Sequence, residues 1–373
     1  KKKPILIIAG CVAQAEGDIL LQREKYIDAV IGPQSYQEIN KIIIEIQNKK
    51  IQLESTEFDV VKKFDELNLI KNSNSKVSSY LTIQEGCDKF CKFCVVPYTR
   101  GPEHSRSFTE IISEAKQLVK NGSKEIILLG QNVNAYNYEN KRLSDLLFSL
   151  EEIEGLQRLR YTTSHPKDFT SDLINAHMKS SKLMPLLHLP VQSGSTNILM
   201  KMNRGHSISE YLKLIEKLKA NKPLIRFSSD FIIGYPGETE EDFKKTLLLM
   251  QKIKFINSYS FIFSSRPGTP AANLKKIDDK IAKNRLEKFQ ALANEIKNDY
   301  KKNLVNTTLK VLFENKTKDS NKYFGRDEHY NSVIVESNEN LNGKIKDVKV
   351  NKCNHNTLFG AVVLNKRFEE YAA

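Results

Sequence analysis

Three of the five cysteines in this 373-residue chain fall within eight residues, as Cys87, Cys91 and Cys94, and no other cysteine is near them in the sequence. Clustered thiolates of this kind bind zinc, copper(I) or an iron–sulfur cluster. A structural zinc ion is tetrahedral and needs a fourth ligand. The nearest candidate is His104, which lies outside the usual spacing of such ligands. The spacing alone leaves a Cys3His zinc site, an iron–sulfur cluster and an inert group of thiols open.

The residues around the triplet favour the iron–sulfur cluster. A 4Fe-4S cube held by three thiolates leaves one iron open, and an open iron can bind a substrate or cofactor. Apolar side chains would shield such a cube from water, and basic ones would place positive charge around its mouth. The apolar residues are Phe90, Phe93, Val95, Val96 and Pro97. The basic residues are Lys89, Lys92, Arg100 and Arg106.

The elements that must position this triplet alternate between strands and helices. Six apolar or β-branched segments, separated by helical patterns, predict strands at 79–84, 125–130, 158–163, 185–191, 225–234 and 257–263. Such alternation is typical of a parallel sheet with right-handed crossovers, and six repeats are fewer than a closed barrel needs. In such sheets ligands bind at the carboxyl ends of the strands. The cysteines, GQNVNAY, SHP, QSGS and GYPGET all follow predicted strands, so we expect the chemistry at that end.

Two helices of this core carry start signals. Thr109 is placed to cap a helix over 109–122, whose apolar residues share one face. Thr239 and Asp242, three residues apart, form a variant of the capping box. We therefore expect a helix to begin at each of these threonines.

The segment before the core predicts a small α/β unit. Apolar runs at 5–10 and 27–32 predict two strands, and 35–48 predicts a helix. Residues 49–78 are polar with only weak periodicity, which predicts a linker.

The segment after the core has a different sequence pattern. A long amphipathic helix is predicted at 279–302, and 306–367 then form short alternating segments broken at Gly325 and Gly343. This pattern predicts a small antiparallel β-barrel. Lys and Arg outnumber Asp and Glu there, so the barrel is either an RNA-binding module or a structural cap.

The overall composition narrows the class of protein. The net charge of +13 and pI near 9.2 fit a polyanionic partner, although a solvated lysine-rich surface would carry the same charge. The odd number of cysteines, with Cys11 and Cys353 isolated, does not suit a secreted disulfide framework, so we expect a cytoplasmic protein. No apolar run approaches the ~20 residues that a membrane span needs, so no membrane association is expected.

Several longer motifs follow one another between residues 86 and 272: GCDKFCKFCVVPYTRGPEHSR, LLGQNVNAY, TSHP, HLPVQSGS, MKMNRG, DFIIGYPGETEEDF and SSRPGTPAA. The cysteine triplet after the first strand of a βα repeat resembles the radical S-adenosylmethionine enzymes. The motifs around it are similar to those of the methylthiotransferases within that superfamily. The resemblance extends to GCVAQAEGD near the beginning and to the terminal barrel. It covers essentially the whole chain.

The resemblance implies a fold in three parts. Residues 1–72 would be the remnant of an α/β N-terminal domain with a linker. Residues 73–304 would form a partial (β/α)6 radical S-adenosylmethionine barrel. Residues 305–367 would form a TRAM-like antiparallel β-barrel that binds RNA.

The resemblance also implies two 4Fe-4S clusters. The one held by Cys87, Cys91 and Cys94 would cleave S-adenosylmethionine to a 5′-deoxyadenosyl radical, and an auxiliary one in the N-terminal domain would carry the inserted sulfur. Cys11 matches the third ligand of the auxiliary cluster. The two other ligands should precede Cys11, yet none of the ten residues before it is a cysteine. We therefore expect the chain to be truncated at its N-terminus.

The implied reaction places a methylthio group on C2 of N6-(dimethylallyl)adenosine next to the anticodon of tRNA. One S-adenosylmethionine would methylate sulfur, a second would provide the radical, and the base would be extruded into the barrel mouth. The residues placed around cofactor or substrate are Gln131, Asn132, Ser164, Gln192, Gly234 and Gly237. The partners implied are tRNA, a flavodoxin-type electron donor and iron–sulfur assembly proteins, and the protein is expected to be a monomer.

Three alternatives stay open at this point. Relatives in the same family modify threonylcarbamoyladenosine in tRNA or an aspartate of a ribosomal protein. A protein of another class, a non-catalytic RNA-binding protein with a zinc-closed Cys3His site, would share the cysteine triplet and the basic barrel.

Overall fold

The computed structural model describes residues 4–49, 52–56, 76–318 and 321–363. Its first part is a parallel sheet of three short strands, β1 (Ile7–Ala9), β2 (Ala29–Ile31) and β3 (Leu53–Ser55). The helices are α1 (Cys11–Glu16), α2 (Asp18–Arg23) and α3 (Ile39–Lys49). Buried residues of α1 and α2 pack around Val30, whereas those of α3 pack around Ala29 and Ile31. Because neighbouring residues of a strand point to opposite faces, the sheet has helices on both sides.

The linker predicted over 49–78 is wrong for residues 53–55, which form β3 and pair with β2. A strand of three residues with one half-buried leucine has too little periodicity to be recognised in the sequence. The predicted boundary at residue 72 lies outside the described residues.

The middle part is the predicted barrel of parallel strands. Its strands and short β-segments are β4 (Ser78–Thr82), β5 (Gln84–Glu85), β6 (His104–Ser105), β7 (Glu125–Leu129), β8 (Asn137–Tyr138), β9 (Lys141–Arg142), β10 (Arg158–Tyr161), β11 (Leu186–His188), β12 (Arg226–Ile233) and β13 (Asn257–Ile262). Six of them are parallel and form two sheets, β4-β7-β10 and β11-β12-β13. Leu159 joins the sheets, because its N–H donates to Lys182 and its carbonyl accepts from Met184. The predicted partial barrel is confirmed.

Helices cover the outer side of these strands. The helices of this part are α4 (Val96–Thr99), which packs against α1, and α5 (Phe108–Lys120), α6 (Leu143–Glu151), α7 (Ser171–Lys179), α8 (Thr196–Lys201), α9 (Ile208–Asn221), α10 (Glu240–Ile253) and α11 (Asp279–Leu304). Alternate strand residues, such as Leu81, Ile126, Leu159 and Phe231, join the buried core that these helices form. The residues between them point to the other side, which we call the lumen.

The two predicted helix starts have different outcomes. The capping box at α10 is confirmed, because the Thr239 hydroxyl accepts from the Asp242 N–H at 3.2 Å. The cap at Thr109 is wrong, because the N-cap of α5 is Ser107 and the helix begins at Phe108. Thr109 instead places its hydroxyl 3.0 Å from that of Ser107. Ser107 and Thr109 are both of residue types that cap helices, and helix ends are uncertain by one or two residues when they are predicted from sequence.

The last part is a closed barrel of β14 (Thr308–Lys316), β15 (Lys322–Arg326), β16 (Ser332–Glu336), β17 (Ile345–Cys353) and β18 (Thr357–Val362), in the order β14-β15-β16-β18-β17. The predicted barrel is confirmed with one difference. One pair, β16 and β18, is parallel, because β17 lies between them in the sequence and runs antiparallel to β18. The end of the predicted barrel, 364–367, lies outside the described residues.

The terminal barrel packs against the amino ends of the core strands, where β10 begins. Arg158 donates two hydrogen bonds of 2.8 Å to carbonyl oxygens of the terminal barrel, and Arg160 donates two of 3.0 Å. The acceptors are Lys310, Arg326, Asp327 and Glu328. Arg160 also pairs with the buried Glu125 of β7 at 2.7 Å. We call this the lower end of the barrel. In the described ranges, no helix has the length and apolar character needed to cross a membrane.

Candidate functional site

The cysteine loop follows β5 at the upper end, where the core strands have their carboxyl ends. It begins at Gly86, whose φ of +75° and contact with the Pro102 carbonyl leave no room for a side chain. The Gly86 N–H donates to the Gln131 Oε1 at 2.8 Å. The Cys87 N–H donates at 3.2 Å to the carbonyl of Gly101, which lies at the other end of the loop. These contacts close the loop and anchor it to the residues after β7.

The MNRG segment supports the loop from below. The Lys92 N–H donates to the Met202 carbonyl at 2.9 Å, and the Asn203 amide donates to the Phe90 carbonyl at 3.0 Å. Phe93 packs on a buried apolar cluster that includes Met202 and Tyr235. Of the two phenylalanines predicted to shield the site, Phe93 is therefore packed, whereas Phe90 is 51% exposed.

Two of the three thiols, Cys87 and Cys94, lie in a poor environment for free thiolates. Burial raises the pKa of Cys87 to about 12 and also raises the pKa of Cys94, although the charge of Arg204 acts in the opposite direction on Cys94. The Arg204 guanidinium donates to the Cys91 sulfur at 3.5 Å and to the Pro190 carbonyl at 2.6 Å. Thiolates at this site therefore need a bound cationic group, which iron supplies.

The geometry does not form the Cys3His zinc site. In the part of the chain that the structure describes, no three Cys, His, Asp or Glu side chains are placed to hold one metal ion, and His104 lies in β6. A 4Fe-4S cube binds each thiolate through a separate iron atom, so its ligands do not converge on one point. The triplet, with Cys91 buried beside a guanidinium and Cys87 and Cys94 half-buried, fits such a cube.

Cys11 lies on the same side of the molecule. It begins α1, which packs against α4 of the cysteine loop. Burial disfavours the charge of Arg100, but hydrogen bonds with Cys11 and Glu85 more than compensate and raise its pKa. The Gln34 amide donates to the Arg100 carbonyl at 3.1 Å. The N-terminal sheet is thus docked on the cysteine loop, with Cys11 facing it.

A polar network ties the loop to the ends of β7 and β10. The Asn132 amide donates to Glu103 at 2.9 Å and to Asp168 at 2.7 Å. Lys89, between the first two cysteines, pairs with Asp168 at 2.8 Å. The Asn132 N–H donates to the buried Gln84 side chain at 2.9 Å. This network fixes the height of the cysteine loop above the lumen.

Several buried polar atoms beside this network have no hydrogen-bond partner among the described residues. They are Asn132 Oδ1, Ser164 Oγ, His165 Nε2 and His206 Nε2. Burial lowers the pKa of His165 to about 2 and that of His206 to about 4, so both rings are neutral near pH 7. Buried polar atoms are rarely left unpaired, and those that are often mark a ligand site. Their position beside the thiols fits a polar cofactor such as S-adenosylmethionine.

The other predicted cofactor residues lie at the upper end but have structural roles in the chain. Gln192, at φ +76°, bridges to β12 through its backbone. The Gly234 N–H donates to the buried Glu238 at 3.2 Å, and the Gly237 carbonyl accepts from Lys201 at 2.9 Å. The structure thus brings Gln131 and Asn132 to the cysteine loop and its polar network, and it places Ser164 after β10 with a hydroxyl that is unpaired among the described residues. Sequence reasoning did not assign Gln84, Glu103, Asp168, Arg204 or His206 to the site. Two of these residues lie within motifs quoted above, Glu103 in GCDKFCKFCVVPYTRGPEHSR and Arg204 in MKMNRG.

Comparisons with known proteins agree with this architecture. The model of the Radical SAM superfamily matches residues 81–250, and that of the TRAM domain matches 302–363. A solved structure, that of the cobalamin-dependent S-adenosylmethionine radical enzyme OxsB with aqua-cobalamin bound, has a TM-score of 0.50 and 11% identity over 78% of this chain and 45% of that chain. That likeness concerns the fold alone. The fold and the cysteine loop define a radical S-adenosylmethionine protein, a class that uses a 4Fe-4S cluster and S-adenosylmethionine.

Two relatives identify the family. The tRNA-2-methylthio-N(6)-dimethylallyladenosine synthase of Pelagibacter ubique (strain HTCC1062) is 60% identical over 366 residues, which cover 96% of this chain and 82% of the relative. The protein of the same name from Wolbachia pipientis subsp. Culex pipiens (strain wPip) is 46% identical over 367 residues, 96% of this chain and 83% of the relative. The chain belongs to the tRNA-2-methylthio-N(6)-dimethylallyladenosine synthase family. The resemblance to methylthiotransferases is confirmed.

Proposed function

We propose that the protein attaches a methylthio group to C2 of N6-(dimethylallyl)adenosine next to the anticodon of tRNA, with S-adenosylmethionine as methyl donor and radical source. The observation that carries the proposal is the loop of three thiols, of which Cys91 is buried and Cys87 and Cys94 are half-buried, at the same end of the barrel as the unpaired polar atoms. Family membership supports the choice of substrate. The relatives named above are synthases of this product.

In this proposal Cys87, Cys91 and Cys94 hold a 4Fe-4S cluster. When bound, the cluster and S-adenosylmethionine supply a radical that can take hydrogen from an unactivated C–H bond, chemistry that side chains lack. Arg204 places its positive charge on the Cys91 sulfur, and the packing of Phe93 keeps water from that side. The protein's part in the reaction is to orient the reactants and exclude water.

We assign the cofactor site to Gln131, Asn132, Ser164, Gln192 and the turn that contains Gly234 and Gly237. The unpaired Asn132 Oδ1 and Ser164 Oγ support this assignment, because S-adenosylmethionine offers an ammonium group and ribose hydroxyls as donors. Gly234 and Gly237 shape the turn, and no side chain would obstruct a ligand there.

We assign Cys11 as a ligand of a second 4Fe-4S cluster that provides the sulfur. The support is its position, since Cys11 faces the cysteine loop through Arg100. A sulfur source has to lie near the carbon that receives the sulfur. The division into 1–72, 73–304 and 305–367 follows the same scheme, with tRNA contacts on the TRAM domain and the basic surface. A flavodoxin-type reductant would deliver electrons, and iron–sulfur assembly proteins would load the clusters.

The test is mass spectrometry of tRNA nucleosides from cells that lack this gene. We expect N6-(dimethylallyl)adenosine to accumulate, its methylthio product to disappear, and the gene to restore the product. A gene with Cys87, Cys91 and Cys94 all changed to alanine should not restore it. If methylthiolated threonylcarbamoyladenosine disappears instead, the substrate is wrong, and if neither product changes, the activity itself is wrong.

A further inference from the structure

Two aromatic side chains are exposed on the lumen face of β13. Tyr259 is 55% exposed and Phe261 is 65% exposed, and they lie opposite Asp230 and Ile232 of β12. Phe231 lies between Asp230 and Ile232 in β12 and belongs to the core under the helices. Because neighbouring residues of a strand point to opposite faces, Asp230 and Ile232, and with them Tyr259 and Phe261, face the lumen. Parallel strands normally have both faces covered. Large aromatic side chains exposed on such a strand indicate a surface that awaits a partner.

A polar pair completes this row. The His188 ring of β11 lies 2.9 Å from the Ser228 hydroxyl and 3.5 Å from the Asp230 carboxylate, and it meets the Tyr259 ring edge-on at 6.1 Å. Both members of the pair are partly open to solvent. The row therefore presents a carboxylate acceptor, an imidazole and two aromatic faces on one surface. We call His188, Asp230, Tyr259 and Phe261 the lumen row.

The lumen row lies between the cysteine loop and the lower end. Two residues after His188, the Pro190 carbonyl accepts from Arg204, which contacts the Cys91 sulfur. Ile232, the register partner of Phe261, packs on the same apolar cluster as Phe93. A flat ligand on the row would therefore lie next to residues that contact the cysteine loop.

We propose that the lumen row is the specificity site for the base to be modified, an inference that rests on the proposed function. The aromatic side chains receive the adenine and its apolar N6 substituent, because every base has a face that stacks on aromatic rings and a five-carbon alkyl group gains from leaving water. The Asp230 carboxylate accepts the one N–H that an N6-alkylated adenine retains. Phosphates have no place on this surface, since the row carries a carboxylate.

The charge of the row also predicts what it rejects. A threonylcarbamoyl substituent on N6 carries its own carboxylate, and the Asp230 carboxylate would repel it. An apolar dimethylallyl group meets no such penalty. The lumen row would therefore favour dimethylallyladenosine over threonylcarbamoyladenosine when both bases are in the same RNA context.

The test measures binding of the cluster-loaded protein to three anticodon stem-loop RNAs by fluorescence anisotropy. The RNAs carry adenosine, N6-(dimethylallyl)adenosine or threonylcarbamoyladenosine at the same position. We expect Tyr259→Ala and Phe261→Ala each to weaken binding of the dimethylallyl RNA by about tenfold. Binding of the adenosine RNA should weaken less, because it loses the stacking contact but has no N6 substituent to lose. Tyr26→Ala is the matched control, because Tyr26 is 58% exposed but lies in the N-terminal part, and it should change neither affinity.

A charge variant tests the second half of the proposal. Asp230→Asn should improve binding of the threonylcarbamoyl RNA by about tenfold relative to the dimethylallyl RNA, as expected when one repulsive contact is removed. The lumen row is contradicted if the wild type forms the methylthio product while all three variants discriminate among the RNAs as it does. A wild-type protein that forms no methylthio product on any of the RNAs contradicts the proposed function, and with it this inference.

Discussion

The two ends of the barrel treat buried polar groups in opposite ways. At the lower end the guanidinium groups of Arg158 and Arg160 are buried, and both donate to carbonyl oxygens of the terminal barrel. At the upper end Asn132 Oδ1, Ser164 Oγ and His165 Nε2 are buried and find no hydrogen-bond partner in the described residues. A chain normally satisfies its buried polar atoms itself. The lower end therefore has a structural role, and the upper end is a site that a ligand completes.

The buried arginines of the lower end also hold the terminal barrel in a fixed position on the core. Each charged hydrogen bond of the two arginines contributes about 1.5–3 kcal/mol. The Arg160 guanidinium lies 4.8 Å from the Tyr330 ring centre, which adds a cation–π contact. The terminal barrel is thus fixed to the same strand whose carboxyl end leads to Ser164.

The largest effect is expected at the upper end. Cys91→Ser should abolish methylthiolation, because the two remaining thiols cannot hold the cluster. The measurements are iron bound per chain after anaerobic reconstitution and the methylthio nucleoside formed. Cys353→Ser is the matched control, since this half-buried cysteine lies in β17, and it should keep both values. Wild-type iron content and activity in Cys91→Ser would contradict the ligand assignment.

The next effect tests the lower end through stability. Arg160→Ala should lower the free energy of unfolding by about 3–5 kcal/mol, because it leaves the Glu125 carboxylate buried without its cation. Urea denaturation measures the change. The double variant Arg160→Met with Glu125→Gln removes both charges and should recover much of the loss. A loss below about 1 kcal/mol would mean that this pair contributes no more than an exposed salt bridge. It would contradict the structural role that we assign to the lower end.

The elements and the cysteine loop could be predicted from the sequence, because their signals are local. Apolar runs identified the six strands, and the spacing of Cys87, Cys91 and Cys94 identified the loop. The position of polar residues after the strands led to Asn132 and Ser164, since parallel strands place their carboxyl ends together.

The contacts between distant segments could not be predicted in this way. Arg204 contacts Cys91 across 113 residues, and Arg160 meets Asp327 across 167. No local pattern marks these arginines as buried, since an arginine on a strand or in a loop is usually exposed. The lumen row was missed for a related reason, because Tyr259 and Phe261 have the composition of ordinary strand residues.

A smaller effect is expected from the Arg204 guanidinium, which joins the Cys91 sulfur to the Pro190 carbonyl. Arg204→Ala should lower kcat by about 10–100-fold, the usual range for groups that support a metal ligand. It should also make the reduction potential of the reconstituted cluster more negative, because a positive charge beside the Cys91 sulfur is lost. Arg204→Lys keeps the charge, so its kcat and its reduction potential should lie between those of the wild type and of Arg204→Ala. A purely structural role would lower the thermal stability without moving the potential, so an unchanged potential contradicts this assignment.

The smallest effect concerns a buried ion pair at the upper end, to be compared with Arg160 and Glu125 below. Burial raises the pKa of Glu238 to about 7, despite its 2.8 Å contact with Arg285. Between pH 4.5 and 7 the folded protein therefore holds a proton that the unfolded chain releases, so the free energy of unfolding falls as the pH rises. We expect a decrease of about 1 kcal/mol between pH 6 and 7 from this group, which Glu238→Gln should remove. Glu240→Gln is the control, because Glu240 also contacts Arg285 but is exposed, and it should keep the decrease. A wild-type decrease that survives in Glu238→Gln would mean that Glu238 is not the group that takes up the proton.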